Sequence, residues 1–353
     1  MNILFGVQST GNGHICRSKE IIRSLKQRGH RVQVLLSGKP PNLLQEMQVF
    51  EPYAIRRGLT FMTKQGRVQY LKTLLQLDFI RFRKDIFEYD ASGIDLVITD
   101  FEPISSRIAR RHGIPSIGIS HQSAFEYDIP MAKGNPIGRY ILKNFAPADH
   151  MVGLHWHHFD QPILPPVIPD CFEKDRPVIP DKIIVYLPFE HKHSIRTMLQ
   201  GIHTHHFHIY ESSCKVSSDE GNLHHRPFSR ANFLRDLSEC SGIICNSGFE
   251  LPSEALHLGK RILAKPLLGQ LEQESNALAL SQLGLAKIVV TLNIEEIKRW
   301  LMETAGEHAV PMNYPNVAER LAEWIGDGCH NNLKDFARSV WQSMSIPAHS
   351  SST

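Results

Sequence analysis

The sequence predicts an α/β protein of two domains, each built on a doubly wound parallel sheet. The 353-residue chain is too long for one ordinary hydrophobic core. Strand–helix units recur in both halves, which is typical of a parallel sheet covered by helices on both faces. Residues 161–181 are rich in proline, which locks φ and lacks a backbone donor, so we interpret this stretch as the linker between the domains.

The two halves carry similar series of elements. The first half, residues 1–160, has apolar strands at 2–8, 30–36, 94–99 and 114–119 and helices at 16–29 and 103–112. The second half, residues 182–330, has strands at 182–187, 207–210, 242–245 and 261–264 and helices at 194–201, 231–238, 251–258 and 273–283. A last helix at 332–344, within residues 331–345, is expected to pack back on the first domain.

Composition excludes several classes of protein. Hydrophobic residues make up 42% and charged residues 21% of the chain, and the net charge of +3 is too small for a dedicated nucleic-acid binder. Six cysteines without a CxxC pair predict reduced thiols in a cytoplasmic protein. No signal peptide and no membrane span are expected, because no basic segment precedes a long apolar one and no apolar window reaches about 18 residues.

The strongest local motif is CNSGFELPSEAL, residues 245–256, which runs from a strand end through a glycine turn into a helix. Free backbone N–H groups and the positive helix end suit a diphosphate. Glu254, one turn into the helix, could accept hydrogen bonds from two ribose hydroxyls. An ordinary helix start, with Glu254 favourable to the dipole, explains the local pattern equally well.

The following residues extend this motif. GKRILAKP at 259–266, QLEQESNA at 270–277 and GLA at 284–286 complete a run that resembles the donor-binding segment of the GT-B glycosyltransferases. It is especially similar to the peptidoglycan-precursor N-acetylglucosaminyl transferases and the UDP-glycosyltransferases. The resemblance implies two Rossmann-like domains facing across a cleft, with the acceptor in the first and a nucleotide sugar, expected to be UDP-linked, in the second. It also implies a donor site containing Ser247, Gly248, Phe249, Glu254, Glu272, Gln273 and Asn276.

The N-terminal turn fits the same resemblance. Residues 11–14, GNGH, resemble the family's Gly-Gly-His turn, which implies that His14 lies between donor and acceptor and that Gly13 contacts the donor. An imidazole is a suitable base for a hydroxyl at neutral pH and needs a carboxylate to fix its tautomer. Asp100 ends a strand at the same sheet edge and matches the family's paired aspartate. A helix-capping Asp100 and a solvated His14 are the structural alternative.

Other residues give weaker signals. The resemblance places Phe228 against the nucleotide base, and His121 and Gln122 could line the acceptor side, although packing and loop polarity explain these three as well. Residues 182–190 lack the family's Gly-Ser-rich turn. Asn246 stands where retaining enzymes carry a first glutamate, so inversion at the anomeric carbon is expected. The dense histidines carry no metal-ligand motif, and we predict no metal and no permanently bound cofactor.

Residues 56–84 mix basic and apolar side chains. A helix with Arg81, Arg83 and Lys84 on one face could contact an anionic membrane, but an ordinary amphipathic helix accounts for the pattern too. The expected activity is transfer of a hexose or N-acetylhexosamine from a nucleotide sugar to a hydroxyl of an unknown acceptor, which a lipid could carry. A sugar-nucleotide 2-epimerase and a non-catalytic nucleotide-sugar-binding partner are the alternatives.

Overall fold

The computed structural model describes residues 1–38, 47–59, 78–172, 176–303, 309–329 and 332–344, and the backbone alone of residues 63–64 and 67–68. The described residues form two seven-stranded sheets and one short two-stranded pair. Helices cover the faces of both large sheets. The fold class is therefore the one that the repeated strand–helix units predict, a two-domain parallel α/β protein.

The first sheet has the strand order β3-β2-β1-β6-β7-β8-β9, and all of its pairings are parallel. β1 is central and pairs Phe5 with Val34 on one side and Ile98 on the other, which explains its continuous apolar run. The strands are β1 (Asn2–Gln8), β2 (Arg31–Ser37), β3 (Tyr53–Arg56), β6 (Leu96–Asp100), β7 (Ser116–Ser120), β8 (His150–Leu154) and β9 (Ile163–Leu164).

The second sheet has the order β12-β13-β11-β10-β14-β15-β16, with only the β12–β13 pair antiparallel among the described strands. Its strands are β10 (Ile179–Tyr186), β11 (His206–Tyr210), β12 (Ser218–Glu220), β13 (Leu223–Arg226), β14 (Cys240–Asn246), β15 (Arg261–Lys265) and β16 (Lys287–Ile288). β9 and the start of the central strand β10 lie inside residues 161–181, so this proline-rich stretch contains strand near both ends, while its assignment as the linker stays a prediction. Pro180 is tolerated because it stands at the irregular beginning of β10, before the regular ladder starts at Lys182.

The helices surround both sheets. They are α1 (Asn12–Gln27), α2 (Phe79–Phe87), α3 (Pro103–His112), α4 (Pro136–Asn144), α5 (Lys192–Gln200), α6 (Arg230–Glu239), α7 (Glu250–His257), α8 (Leu271–Gln282), α9 (Ile294–Glu303), α10 (Val317–Gly326) and α11 (Leu333–Gln342). α10 packs on α1 and α11 on β9, where Trp341 Nε1 donates to the Ile163 carbonyl at 2.6 Å. The last two helices therefore return to the first sheet, and one apolar cluster continues through both halves. The exact domain boundaries stay a prediction.

The stretch at 56–84 is not one continuous helix. Arg56 lies on β3, and Lys64 and Arg67 lie on two antiparallel strands, β4 (Thr63–Lys64) and β5 (Arg67–Val68). The remainder of 60–77, with Lys72 and the predicted apolar face at Phe61, Met62, Tyr70, Leu74 and Leu75, lies outside the described residues. α2 is the described helical part. Its first turn is capped by the Asp78 carboxylate, which accepts from Arg81 N at 2.9 Å.

Candidate active site

A cleft of about 1780 Å³ opens between the two sheets, at the carboxyl ends of β1 and β14. Ligands of doubly wound sheets bind at this edge, beyond the ends of the strands. The wall contains most of the residues that the sequence nominates: Gly13, His14, Gln122, Phe228, Gly248, Phe249, Glu254, Glu272 and Gln273. The two nominated motifs, distant in the chain, therefore face the same space.

His14 lies in the first turn of α1, and its side chain is 13% exposed to the cleft. Its Nδ1 is 2.8 Å from Oδ1 of Asp100, the last residue of β6, so the expected hydrogen bond is present. Asp100 is fully buried and also accepts from Ser18 Oγ at 2.8 Å. The pairing follows from topology, because β1 and β6 are neighbours and Val7 lies opposite Asp100.

Arg17 is the main site residue that the sequence argument missed. Its Nε and Nη2 form a bidentate pair with Asp100 at 2.8 and 2.6 Å, and Nη1 donates to Glu250 across the cleft. Burial would lower the pKa of Arg17, but the charges of Asp100 and Glu250 outweigh it and raise that pKa. Burial would likewise raise the pKa of Asp100, and the Arg17 charge lowers it instead. Both groups are therefore held in their charged forms.

These contacts determine the tautomer that we assign to His14. Arg17 Nη2 lies 2.6 Å from His14 Nδ1, but its two protons have oxygen acceptors, Asp100 at 2.6 Å and Gln122 Oε1 at 3.3 Å. Nδ1 therefore carries the proton and donates to Asp100. The lone pair is left on Nε2, the nitrogen that a general base in this position needs.

The donor motif forms the opposite wall. β14 ends at Asn246, residues 247–249 form a turn, called the donor turn here, and α7 begins at Glu250. The free backbone N–H groups at the start of α7 belong to residues that line the cleft, except at Pro252, which has none. Glu254 is 3% exposed and accepts from both Nη atoms of Arg230, the first residue of α6. Arg230 is thus a second missed residue. The nominated ribose acceptor is already paired with a cation.

Glu272 and Gln273 begin α8 with different surroundings. Glu272 Oε2 accepts from Gln122 Nε2 at 3.0 Å, which places this carboxylate beside the first domain. Gln273 Oε1 accepts from the backbone N–H of Leu267 at 3.1 Å. Its oxygen therefore holds the loop before α8, and its amide nitrogen is the atom left for a ligand. The two residues of the predicted sugar-binding pair therefore have different surroundings. The Glu272 carboxylate faces the cleft, whereas the Gln273 side chain also holds the backbone of the preceding loop.

Three residues that the sequence predicts at the site do not line the cleft, namely His121, Ser247 and Asn276. Asn276 Oδ1 lies 2.6 Å from His121 Nε2, and Asn276 Nδ2 donates to the Ser247 carbonyl at 3.1 Å. Ser247 Oγ donates to the Gln273 carbonyl at 2.8 Å. All three side chains are fully buried and join α8, the donor turn and the first domain. Direct ligand contact by them stays a prediction and would require these hydrogen bonds to be exchanged.

An aromatic cluster lies behind the donor turn. Phe249 stacks on His121 with ring centres 4.0 Å apart and planes 3° apart, and it packs on Trp156 at 5.0 Å. Trp156 Nε1 donates to Ser253 Oγ of α7 at 2.8 Å. His121, which the sequence assigned to the acceptor side, therefore packs at the interface between the domains, and its contact with an acceptor stays a prediction. Burial lowers the pKa of His121.

Phe228 lines the cleft, with its ring centre 6.0 Å from that of Tyr186 at the end of β10.

Asn246, the last residue of β14, is 7% exposed and lines the cleft. Its Nδ2 donates to the Lys265 carbonyl at 3.1 Å, while its Oδ1 has no hydrogen-bond donor among the described residues. A buried acceptor without a donor is costly, so this atom indicates a place for a ligand hydroxyl.

The side of the cleft beside His14 includes apolar residues. Phe101 follows Asp100 with φ +52°, a conformation that favours glycine, and its ring centre lies 6.4 Å from His14 and 4.9 Å from Phe145. Ile141 and Leu142 of α4 continue this wall. The local strain directs the Phe101 ring toward the cleft beside the imidazole.

The histidine-rich segments serve other contacts. His206 Nδ1 lies 2.9 Å from His224 Nε2, and His224 pairs with Asp219 at 2.9 Å. Over the part of the chain that the structure describes, no group of three or more histidine, cysteine or acidic side chains is arranged to hold a metal ion. Within the same residues, no helix is long and apolar enough to cross a membrane.

Comparison with known proteins identifies the class. The arrangement of the two sheets is that of the GT-B glycosyltransferases. A solved structure described as the glycotransferase of kitacinnamycin matches with a TM-score of 0.62 and 16% identity, covering 97% of this chain and 99% of that one. MurG of Acinetobacter baumannii matches with a TM-score of 0.52 and 14% identity, covering 92% and 99%. CalG4, the calicheamicin glycosyltransferase, matches with a TM-score of 0.57 and 15% identity, covering 97% and 96%.

The family follows from the sequence. Residues 1–304 match the family model described as glycosyl transferase family 1, so the chain belongs to that family. The predicted relationship to GT-B glycosyltransferases is confirmed. No curated protein sequence gives a significant match. Neither the family model nor these solved structures supports the epimerase alternative.

Proposed function

We propose that this glycosyltransferase transfers a hexose or N-acetylhexosamine from a nucleotide sugar, UDP-linked, to an acceptor hydroxyl with inversion of configuration. The observation that carries the proposal is the His14–Asp100 hydrogen bond of 2.8 Å on the cleft wall opposite the start of α7. A base on one wall and a phosphate-binding helix start on the other suit direct displacement at the anomeric carbon.

The proposed reaction begins when Nε2 of His14 accepts the proton of the acceptor hydroxyl. The oxygen attacks the sugar C1 from the face opposite the nucleotide, the C1–O bond to the diphosphate breaks, and configuration inverts. Asp100 stabilises the imidazolium that forms. Backbone N–H groups at the start of α7 stabilise charge on the departing diphosphate. We assign this task to the helix end in place of a metal, as the resemblance implies.

The donor site is proposed to extend along α7 and α8. Glu254 would accept from the ribose hydroxyls while remaining paired with Arg230, and Phe228 would pack against the base. Glu272 presents carboxylate oxygens on the cleft wall, which suits sugar hydroxyls, and the buried Oδ1 of Asn246, which has no donor among the described residues, would accept a further hydrogen bond. The apolar surface at Phe101 is proposed to bind the acceptor.

We also propose that the protein acts in the cytoplasm, where the acceptor could be carried by a lipid at the membrane surface. The exposed apolar side chains of α2, Phe79 at 50% and Ile80 at 85%, favour peripheral contact. The basic residues of α2 offer less positive charge to a membrane than the sequence implies, because acidic residues of the chain partly neutralise them. Arg81 pairs with Asp85 at 3.3 Å and Lys84 with Glu88 at 3.6 Å.

A thermal-shift panel of nucleotide sugars tests the donor proposal. A donor at 100 times its dissociation constant should stabilise the folded protein by about 2.7 kcal/mol. UDP-sugars should raise the unfolding midpoint, and Glu254→Ala should abolish that increase because the ribose loses its acceptor. Glu303→Gln, an exposed carboxylate paired with Lys287, is the control and should respond like wild type. Equal protection of Glu254→Ala and wild type would exclude the site, and no shift with any nucleotide sugar would exclude the function.

A further inference from the structure

A network of charged groups, Arg17, Asp100 and Glu250, connects the two walls of the cleft. The reaction proposed above uses only Asp100 of these three. Arg17 is 3% exposed, belongs to the first domain and bonds Asp100 with two nitrogens, while its third donor, Nη1, reaches Glu250 of the second domain. Glu250 is the only member on the donor wall and is 17% exposed.

The Glu250 carboxylate lies between the two glycine turns. A Cβ atom added to Gly13 would stand 2.9 Å from Cδ and 3.0 Å from Oε2 of Glu250, closer than real contacts allow. Gly13 thus leaves the space that this carboxylate fills. Because Glu250 is also the first residue of α7, its negative charge is at the positive helix end. An anion already occupies the gap between His14 and the helix start.

This is the gap in which the proposed reaction places the departing diphosphate. A diphosphate there would meet the Glu250 carboxylate at close range, and two like charges in a partly buried site repel strongly. Arg17 faces the same gap with Nη1, and a hydrogen bond from a charged guanidinium to a phosphate oxygen is among the stronger ones in proteins. Asn246 Oδ1, at the end of β14 and four residues before Glu250 in the sequence, is buried and has no donor among the described residues, which independently favours a ligand at this edge of the second sheet.

We propose that Glu250 holds the place of the donor diphosphate in the ligand-free protein, and that donor binding transfers the Arg17 Nη1 hydrogen bond from Glu250 to the diphosphate. Arg17 then binds the leaving group from the acceptor domain and keeps Asp100 beside His14. Donor binding thereby completes the site from both domains. This inference rests on the proposed nucleotide-sugar function.

The test compares UDP with uridine, which lacks the diphosphate. Glu250→Gln removes the competing charge but keeps the side-chain shape, so UDP should bind at least about tenfold more tightly, while uridine affinity stays the same. Arg17→Gln should weaken UDP binding by about tenfold or more and also leave uridine unchanged. Titration calorimetry measures UDP, and competition against UDP measures uridine.

Glu239→Gln is the matched control, because Glu239 also holds cations, Arg176 at 2.7 Å and Lys182 at 2.7 Å, but does not line the cleft. It should bind UDP like wild type. Tighter UDP binding by Glu250→Gln cannot come from structural damage, so the proposal is tested even if Arg17→Gln does not fold.

Unchanged or weaker UDP binding by Glu250→Gln would overturn the place-holding role, as would equal changes for UDP and uridine. If the wild-type protein binds UDP and Glu250→Gln gives either of these results, the proposed donor site stands and only the role of Glu250 is excluded. A wild-type protein that binds no nucleoside diphosphate would overturn both.

Discussion

Replacing Asp100 by asparagine tests whether the charged pair beneath His14 stabilises the fold as the structure indicates. Asp100 is fully buried and accepts four hydrogen bonds, from His14, Ser18 and two nitrogens of Arg17. Asparagine offers one oxygen and turns an NH₂ group toward these donors. Removing one partner of a buried ion pair costs about 3–5 kcal/mol. Because Glu250 still neutralises Arg17, we expect the lower end, about 3 kcal/mol.

Urea unfolding at pH 7 measures this loss, followed by the combined fluorescence of the four tryptophans, of which Trp156 lies at the interface between the domains. Asp335→Asn is the control, since Asp335 is exposed and its 3.6 Å pair with Arg338 contributes at most about 1 kcal/mol. A loss below about 1 kcal/mol for Asp100→Asn would refute the structural argument for the pair.

The pH dependence of the same loss follows from the direction of the Asp100 shift. The folded-state pKa of Asp100 is lowered from 3.8, so its stabilisation is complete above about pH 4. It is lost as the pH falls from that value through the lowered pKa, because the folded carboxylate must then be protonated. The difference in the free energy of unfolding between wild type and Asp100→Asn should therefore narrow as the pH falls below about 4.

Two further predictions concern the sugar and the membrane. Glu272→Ala should slow transfer while leaving UDP binding nearly unchanged. Gln273→Ala should do the same and should also lower the free energy of unfolding by about 1 kcal/mol, because its hydrogen bond to the 266–269 loop is lost. Equal losses of affinity for UDP and for UDP-sugar in calorimetry would contradict the assignment of both residues to the sugar. Reversing Arg81, Arg83 and Lys84 to glutamate should weaken binding to anionic vesicles by about 1 kcal/mol per charge in a sedimentation assay, and absence of vesicle binding by wild type at low salt would exclude this contact.

The sequence predicts the fold well where local pattern and topology agree. Apolar strands followed by glycine turns identify both sheets, and the order of strands then brings His14 and Asp100 together. Strand structure inside residues 161–181 was not predicted, because Pro180 signals irregular backbone, whereas the structure tolerates it at the bulged start of β10. A helix was predicted within residues 56–84, and only part of this stretch forms one, because mixed basic and apolar residues fit a helix or a pair of short strands equally.

Site residues are less predictable than strands, since burial and ion pairing depend on tertiary contacts. Arg17 lies three residues after His14 and so on the same face of α1, a spacing that could have identified it. Glu250 and Arg230 carry no such local signal, because their partners are distant in sequence. His121 and Asn276 have residue types suited to ligands, and only the packed structure shows that they bond each other at the domain interface.

Turnover by His14→Ala is the measurement that tests the proposed mechanism most directly. General-base catalysis contributes about 10²–10⁴-fold, so turnover should fall by that factor, measured as transfer to the acceptor or as release of nucleoside diphosphate from the donor. Donor affinity should hardly change, because the ribose and sugar contacts are proposed to come from α7 and α8. A His14→Ala enzyme with near-normal turnover would contradict the mechanism while leaving the GT-B fold intact.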